Sequence, residues 1–149
     1  LNTLRVMGWH TMGIWPRPLL WSLFMAFLMI NLGFMMRGLM PVTEVPELLH
    51  VHAFALGGIG LMTLSLMARV TLAHTGRNAH AAPPVVWLLA GGLLAAAGFR
   101  IFMPLVDPGH PELWVGASGA AWIASFALYT VVFGPMLLGR RVDRKPGPE

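Results

Sequence analysis

The sequence predicts an all-α integral membrane bundle with four transmembrane helices, and three observations carry that expectation. Of its 149 residues, 56% are hydrophobic and only 11% are charged, with a mean hydropathy of +0.69. Soluble domains carry about 25% charged residues. Four apolar runs each approach the roughly 20 residues that a helix needs to cross a bilayer. Proline-rich connections separate those runs. Lipid must therefore cover much of the surface.

The first span is expected from Pro18 to Met36, the second from Leu48 to Val70, the third from Pro84 to Met103 and the fourth from Leu113 to Leu138. Pro18 and Pro84 stand at helix starts, where the missing N–H costs little. Pro41, Pro46, Pro104, Pro108 and Pro111 punctuate the connections. Pro135 falls inside the last span and is expected to kink it. Residues 1–138 thus form the membrane region, and residues 139–149 a polar, frayed tail.

Lys and Arg set the orientation. Arg5 and Arg17 precede the first span, Arg69 and Arg77 flank the connection after the second, and Arg140, Arg141, Arg144 and Lys145 follow the fourth. With one sided loops in alternation these regions share a membrane face, so both termini are expected in the cytoplasm of a bacterial inner membrane. The opposite face holds Arg37, Glu44, Glu47, Asp107 and Glu112, with Arg100 near its edge. The net charge of +4 does not indicate nucleic acid, because the basic residues sit beside apolar runs rather than on a polar face. The absence of cysteine excludes disulfides, thiolate metal sites and iron–sulfur clusters. The chain opens at Leu1, and its first apolar run has no small-residue cleavage site after it. It therefore reads as lacking a signal peptide and as a piece of something longer.

Small residues recur at four-residue spacing: Ala53 and Gly57, then Gly60, in the second span; Gly91 and Ala95, with Gly92 and Ala96 beside them, in the third; Gly116, Ala120 and Ala124 in the fourth. Such stripes let helices approach closely in lipid, or they clear room for a flat cofactor. Ser65, Ser118 and Ser125 read as interhelical glue.

The six histidines fall into two layers. His50, His52 and His110 lie towards one face, and His10, His74 and His80 towards the other. Ionisable groups are scarce in such chains and invite a functional reading. His52 and His74 are 22 residues apart, roughly 33 Å at helical rise. Two imidazoles on one metal bring their nitrogens to about 4 Å, so these two cannot share an ion within one chain. His50 and His52 point about 200° apart on an ideal helix and cannot chelate as a pair. Interfacial histidines bonded to water or glutamate are the bland alternative, and His52, the deeper, is the better ligand. His74-Thr75-Gly76-Arg77 reads either as a C-cap with Gly76 in the left-handed position, or as an axial ligand, His74, with Arg77 meeting an anionic group such as a haem propionate.

Arg100 either snorkels to the nearby interface or pairs with Glu44, Glu47 or a propionate. Met35, Met36 and Met40, among eleven methionines, are flexible apolar filler or thioether donors to Cu(I). No nucleophile motif, phosphate loop or paired carboxylate appears, so whether the chain is an enzyme stays open.

The stretch His52-Ala53-Phe54-Ala55-Leu56-Gly57-Gly58-Ile59-Gly60-Leu61-Met62-Thr63-Leu64, continuing through Met67-Ala68-Arg69 to His74-Thr75-Gly76-Arg77, resembles the signature of the NnrS family. Gly8-Trp9 and Pro18-Leu19-Leu20-Trp21 before it agree, as do Arg141-Val142-Asp143 and Pro146-Gly147 after it. The resemblance covers nearly the whole chain. It implies a bacterial haem- and copper-containing membrane protein of about twelve spans, linked to nitric oxide and denitrification, of which this chain would be the C-terminal third. The positions matching the signature are His52, Arg69, His74 and Arg77. The early His-x-His of many members has no counterpart here other than His50-Val51-His52, and Phe24 stands where many have histidine.

The resulting expectation is a multi-pass haem b protein, with copper as a second possible cofactor and nitric oxide as a ligand. His52 and His74, with His50, are the metal-ligand candidates, and Arg77 and Arg100 the partners of the cofactor. The remaining helices of a longer protein or a homo-oligomer would complete it, and nucleic acid is not a partner. The rival reading is a cofactor-free membrane module, either a transporter fragment or a scaffold subunit.

Overall fold

A computed structural model describes residues 4, 8, 12–43, 46 and 48–142. His10, Glu44, Glu47 and the end of the tail from residue 143 lie outside the described residues. The elements in order are α1 (Pro18–Leu39), α2 (Leu48–His52), a π-helical segment (Ala53–Gly60), α3 (Leu61–His74), α4 (Val85–Ile101), α5 (Met103–Val106) and α6 (Pro111–Leu138). Short 3-10 turns stand at Met12–Ile14, Met40–Val42 and Ala79–Ala81. There is no strand among the described residues. Four continuous helical stretches, Pro18–Val42, Leu48–His74, Val85–Val106 and Pro111–Leu138, are long and apolar enough to cross a membrane. Each runs somewhat longer than the sequence suggests.

Local chemistry sets the helix ends. Pro18 is the first residue of α1 and Pro111 of α6. α3 ends in a Schellman motif: Arg77 N–H donates to Leu72 O at 2.8 Å and Gly76 N–H to Ala73 O at 3.3 Å. Gly76 takes φ 75°, a conformation that costs a side-chain-bearing residue about 1–2 kcal/mol. Pro135 sits inside α6, which continues to Leu138.

The core lies where α1, α3, α4 and α6 meet, around Leu61, Leu64, Leu89, Leu93 and Phe133. Buried hydroxyls tie these helices. Ser65 Oγ lies 2.7 Å from Ser22 Oγ, and Ser118 donates to Ala96 O at 2.7 Å. Thr71 and Tyr129 share a hydrogen bond of 2.9 Å between α3 and α6. Ser125 instead bonds Ala121 O within its own helix and packs against Gly92.

The small-residue stripes behave differently from one another. A Cβ at Gly57 would stand 2.7 Å from Met29 Cγ, and one at Gly33 would stand 2.8 Å from Phe54 Cε1, so these glycines seat α1 against the π segment. In α4, Ala96 is buried and Gly92 packs on α6, whereas Gly91 and Ala95 are exposed. Gly116, Ala120 and Ala124 are exposed as well. Among the described residues α6 thus packs through Ser118, Ser125, Tyr129 and Phe133 rather than through the Gly116, Ala120 and Ala124 stripe.

Candidate cofactor site

The second span is not a plain α-helix. Residues Ala53–Gly60 form a π-helical stretch in mid-span. Its sequence, Ala-Phe-Ala-Leu-Gly-Gly-Ile-Gly, mixes the small Ala53, Ala55, Gly57, Gly58 and Gly60 with the larger Phe54, Leu56 and Ile59. π turns recur at functional sites. Because a π turn closes through i→i+5 hydrogen bonds, residues before it face a different direction from the one a straight helix would give them.

His52 is the last residue of α2, immediately before the π segment. Its imidazole points to α4, where Arg100 Nε–H donates to His52 Nε2 at 3.1 Å. Accepting at Nε2 places the proton of the neutral ring on Nδ1. Beside this pair lies an open cleft of about 510 Å³, the space at its mouth included, with Leu49, Phe99 and Trp114 among its walls. The rings of Phe99 and Trp114 lie 5.7 Å apart. Apart from His52 and Arg100, the cleft is lined by apolar and aromatic residues.

Trp114 is held from outside the cleft. Its Nε1–H donates to Asp107 Oδ2 at 3.0 Å, and His110 Nδ1–H donates to Asp107 Oδ1 at 3.0 Å. These bonds from His110 and then Trp114 hold the Asp107 carboxyl below the usual aspartate range. Sequence reasoning left Asp107 and Trp114 unassigned. Their spacing of seven residues across a proline-bounded turn is the only signal that marked them.

The other expected site residues disperse. His50 lies on a different face of the second span from His52, with its ring edge-on to Phe54 at 6.1 Å and its Nδ1 buried without a hydrogen-bond partner among the described residues. His74 is exposed at the far end of α3. Arg77 closes the Schellman motif through its backbone, and its Nη1 is buried without a partner among the described residues. The C-cap reading of His74–Arg77 therefore describes their local structure. Arg100 pairs with an imidazole rather than reaching only for the interface. Met40 Sδ accepts from Arg37 Nη1 at 3.5 Å, and Met36 packs against Ala53, Ala97 and Ile101. No group of three or more His, Asp or Glu side chains is placed to hold a metal ion among the described residues.

The donor set suits one group better than another. A single imidazole beside an aromatic-walled cleft, with a guanidinium next to it, matches what a haem needs from a protein: one axial nitrogen, flat apolar walls and a cation for a propionate. It does not match a copper site, which needs several convergent soft or borderline donors.

In comparisons with known proteins, the family model described as NnrS protein matches residues 1–141. Neither the curated proteins nor the solved structures yield a match.

Proposed function

Because this chain belongs to the NnrS family, we propose that it is a membrane haem protein that serves the cell's response to nitric oxide, with the His52–Arg100 cleft as its cofactor site. The observation that carries this reading is the juxtaposition of His52 Nε2 and the Arg100 guanidinium, 3.1 Å apart, at the edge of an aromatic-walled cleft. Haem, when bound, supplies iron with a coordination position open to a diatomic ligand such as nitric oxide.

The chain's own residues do the rest. His52 would offer Nε2 as the ligating atom by giving up the N–H it accepts from Arg100, and its Nδ1–H stays available to a hydrogen-bond acceptor that orients the ring. Arg100, released from His52 when Nε2 binds a metal, would have all five of its N–H donors free to meet a carboxylate. Phe99 and Trp114 give the cleft apolar walls, and a less polar surrounding strengthens the electrostatic contacts beside it. His74 and His50 stand away from this cleft and take no part in ligation here. The arginine-rich face is assigned to the cytoplasm of the bacterial inner membrane, on the support of the Lys and Arg asymmetry.

The test is the absorption spectrum of the purified chain in detergent. A Soret band that disappears in His52→Ala and survives in His74→Ala is the expected result. Colourless protein of intact helicity, produced with ample haem, would contradict the reading and favour a cofactor-free module.

A further inference from the structure

We propose that a second cleft, at the arginine-rich end between the start of α1, α3 and the Ala79–Ala81 turn, binds a phosphate-bearing anion, with the headgroup of an anionic phospholipid as the source its walls favour. The cleft is open on one side, and about 420 Å³ of empty space, solvent at its mouth included, lies within it. Three cationic or protonatable side chains from three separate elements line it: Arg17 just before α1, Arg69 in α3 and His80 on the turn. Asn78 fixes that turn by accepting the His80 backbone N–H on its Oδ1 at 2.8 Å. Pro18, Leu19 and Ala82 supply an apolar wall.

Charge makes this arrangement informative. Arg17, Arg69 and His80 are all exposed. Among the described residues no carboxylate lies within ion-pair distance of any of them. Two guanidinium groups that line one small cleft repel each other unless an anion stands between them. At the opposite end both arginines have partners in the chain, Arg37 with Met40 and Arg100 with His52. The inner pair is arranged to receive a ligand that the chain does not supply.

Phosphate suits the site because its oxygens match two guanidinium forks. A lipid source suits it because Arg69 lies five residues before the end of α3, about 7.5 Å inward along the helix. There its aliphatic stem can lie along apolar surface while its head reaches the headgroup layer. Basic pockets between transmembrane helices recognise anionic headgroups in this way. The proposal is independent of the cofactor assignment.

The experiment follows thermal unfolding of the purified full chain in a zwitterionic detergent, titrated with phosphatidylglycerol, phosphatidylcholine or inorganic phosphate. Phosphatidylglycerol is expected to raise the midpoint and phosphatidylcholine to leave it unchanged. Arg17→Gln/Arg69→Gln should weaken the response about tenfold or more, the loss expected from charge-assisted hydrogen bonds. Arg140→Gln, outside the cleft, should keep it. If the double variant does not fold, the exposed Arg17→Gln alone serves, with a smaller loss expected. A shift by inorganic phosphate that the same substitutions abolish supports the site with a soluble phosphate as its source. The proposal is overturned if phosphatidylcholine acts as strongly as phosphatidylglycerol, if no additive shifts the midpoint, if the cleft variants respond like wild type, or if Arg140→Gln loses the response equally.

Discussion

Arg100 in α4 and His52 at the end of α2 are joined by a 3.1 Å hydrogen bond from Nε–H to Nε2, across 48 positions of sequence. The bond occupies the imidazole nitrogen that a metal would use. A metal at Nε2 would therefore displace Arg100, which stays beside the site as a cation and is not itself a ligand. Arg100→Leu is expected to retain the Soret band, because Nε2 remains, but to weaken haem retention about tenfold through loss of the cation that would meet a propionate. Transfer of haem to apomyoglobin measures that loss.

The Thr71–Tyr129 bond, 2.9 Å between buried groups of α3 and α6, should carry real coupling. Thr71→Val and Tyr129→Phe are each expected to destabilise the bundle. A double-mutant cycle should return a coupling of about 0.6–1.7 kcal/mol, the range for side-chain hydrogen bonds between membrane helices. Unfolding in mixed micelles at increasing SDS fraction measures it.

Glycine substitutions should separate the packed stripe from the exposed ones. At Gly57 a methyl group would collide with Met29 Cβ and Cγ at 2.8 and 2.7 Å. Gly57→Ala is expected to cost about 1–3 kcal/mol by overpacking. At Gly91 nothing lies within 4 Å, so Gly91→Ala should be neutral or slightly stabilising through helix propensity. The same SDS titration distinguishes them.

Asp107 lies beyond the end of α5, and its pKa is lowered by the bonds from His110 and Trp114. A carboxylate with a depressed folded pKa stabilises the fold above its unfolded pKa and loses that contribution as pH falls through the folded value. The tie between Asp107 and Trp114 is therefore expected to hold above the ordinary aspartate value of about 3.9 and to loosen progressively below it. Fluorescence of a variant retaining only Trp114 should show the transition, and Asp107→Asn should abolish it.

Much of this architecture is legible in the sequence because it depends on local features. The spans follow from apolar run length, and the end of α3 follows from His74-Thr75-Gly76-Arg77, where one glycine in the left-handed region closes the helix. What faces what is a different matter. Helices that are apolar all round lack the polar stripe that normally marks the outside. For this reason Gly91 and Ala95 could not be told from Gly92 and Ala96 without coordinates, and the exposure of Gly116, Ala120 and Ala124 was hidden too. The His52–Arg100 contact needs two rotational settings at once, and the π segment changes one of them. A 3.6-residue period assigns Gly57 and Gly58 to an ordinary helix, and nothing in the sequence says that the backbone widens there. Depth alone was readable: His52 and Arg100 lie near the same end of neighbouring spans.

The most direct measurement is rescue of a deleted ligand. His52→Gly, purified in detergent and loaded with haem, is expected to lose the Soret maximum of the wild-type protein and to recover it when imidazole is added, because the added ring fills the space His52 vacated. A Soret band in His52→Gly identical to that of wild type before any imidazole is added would contradict the assignment of His52 as the axial ligand.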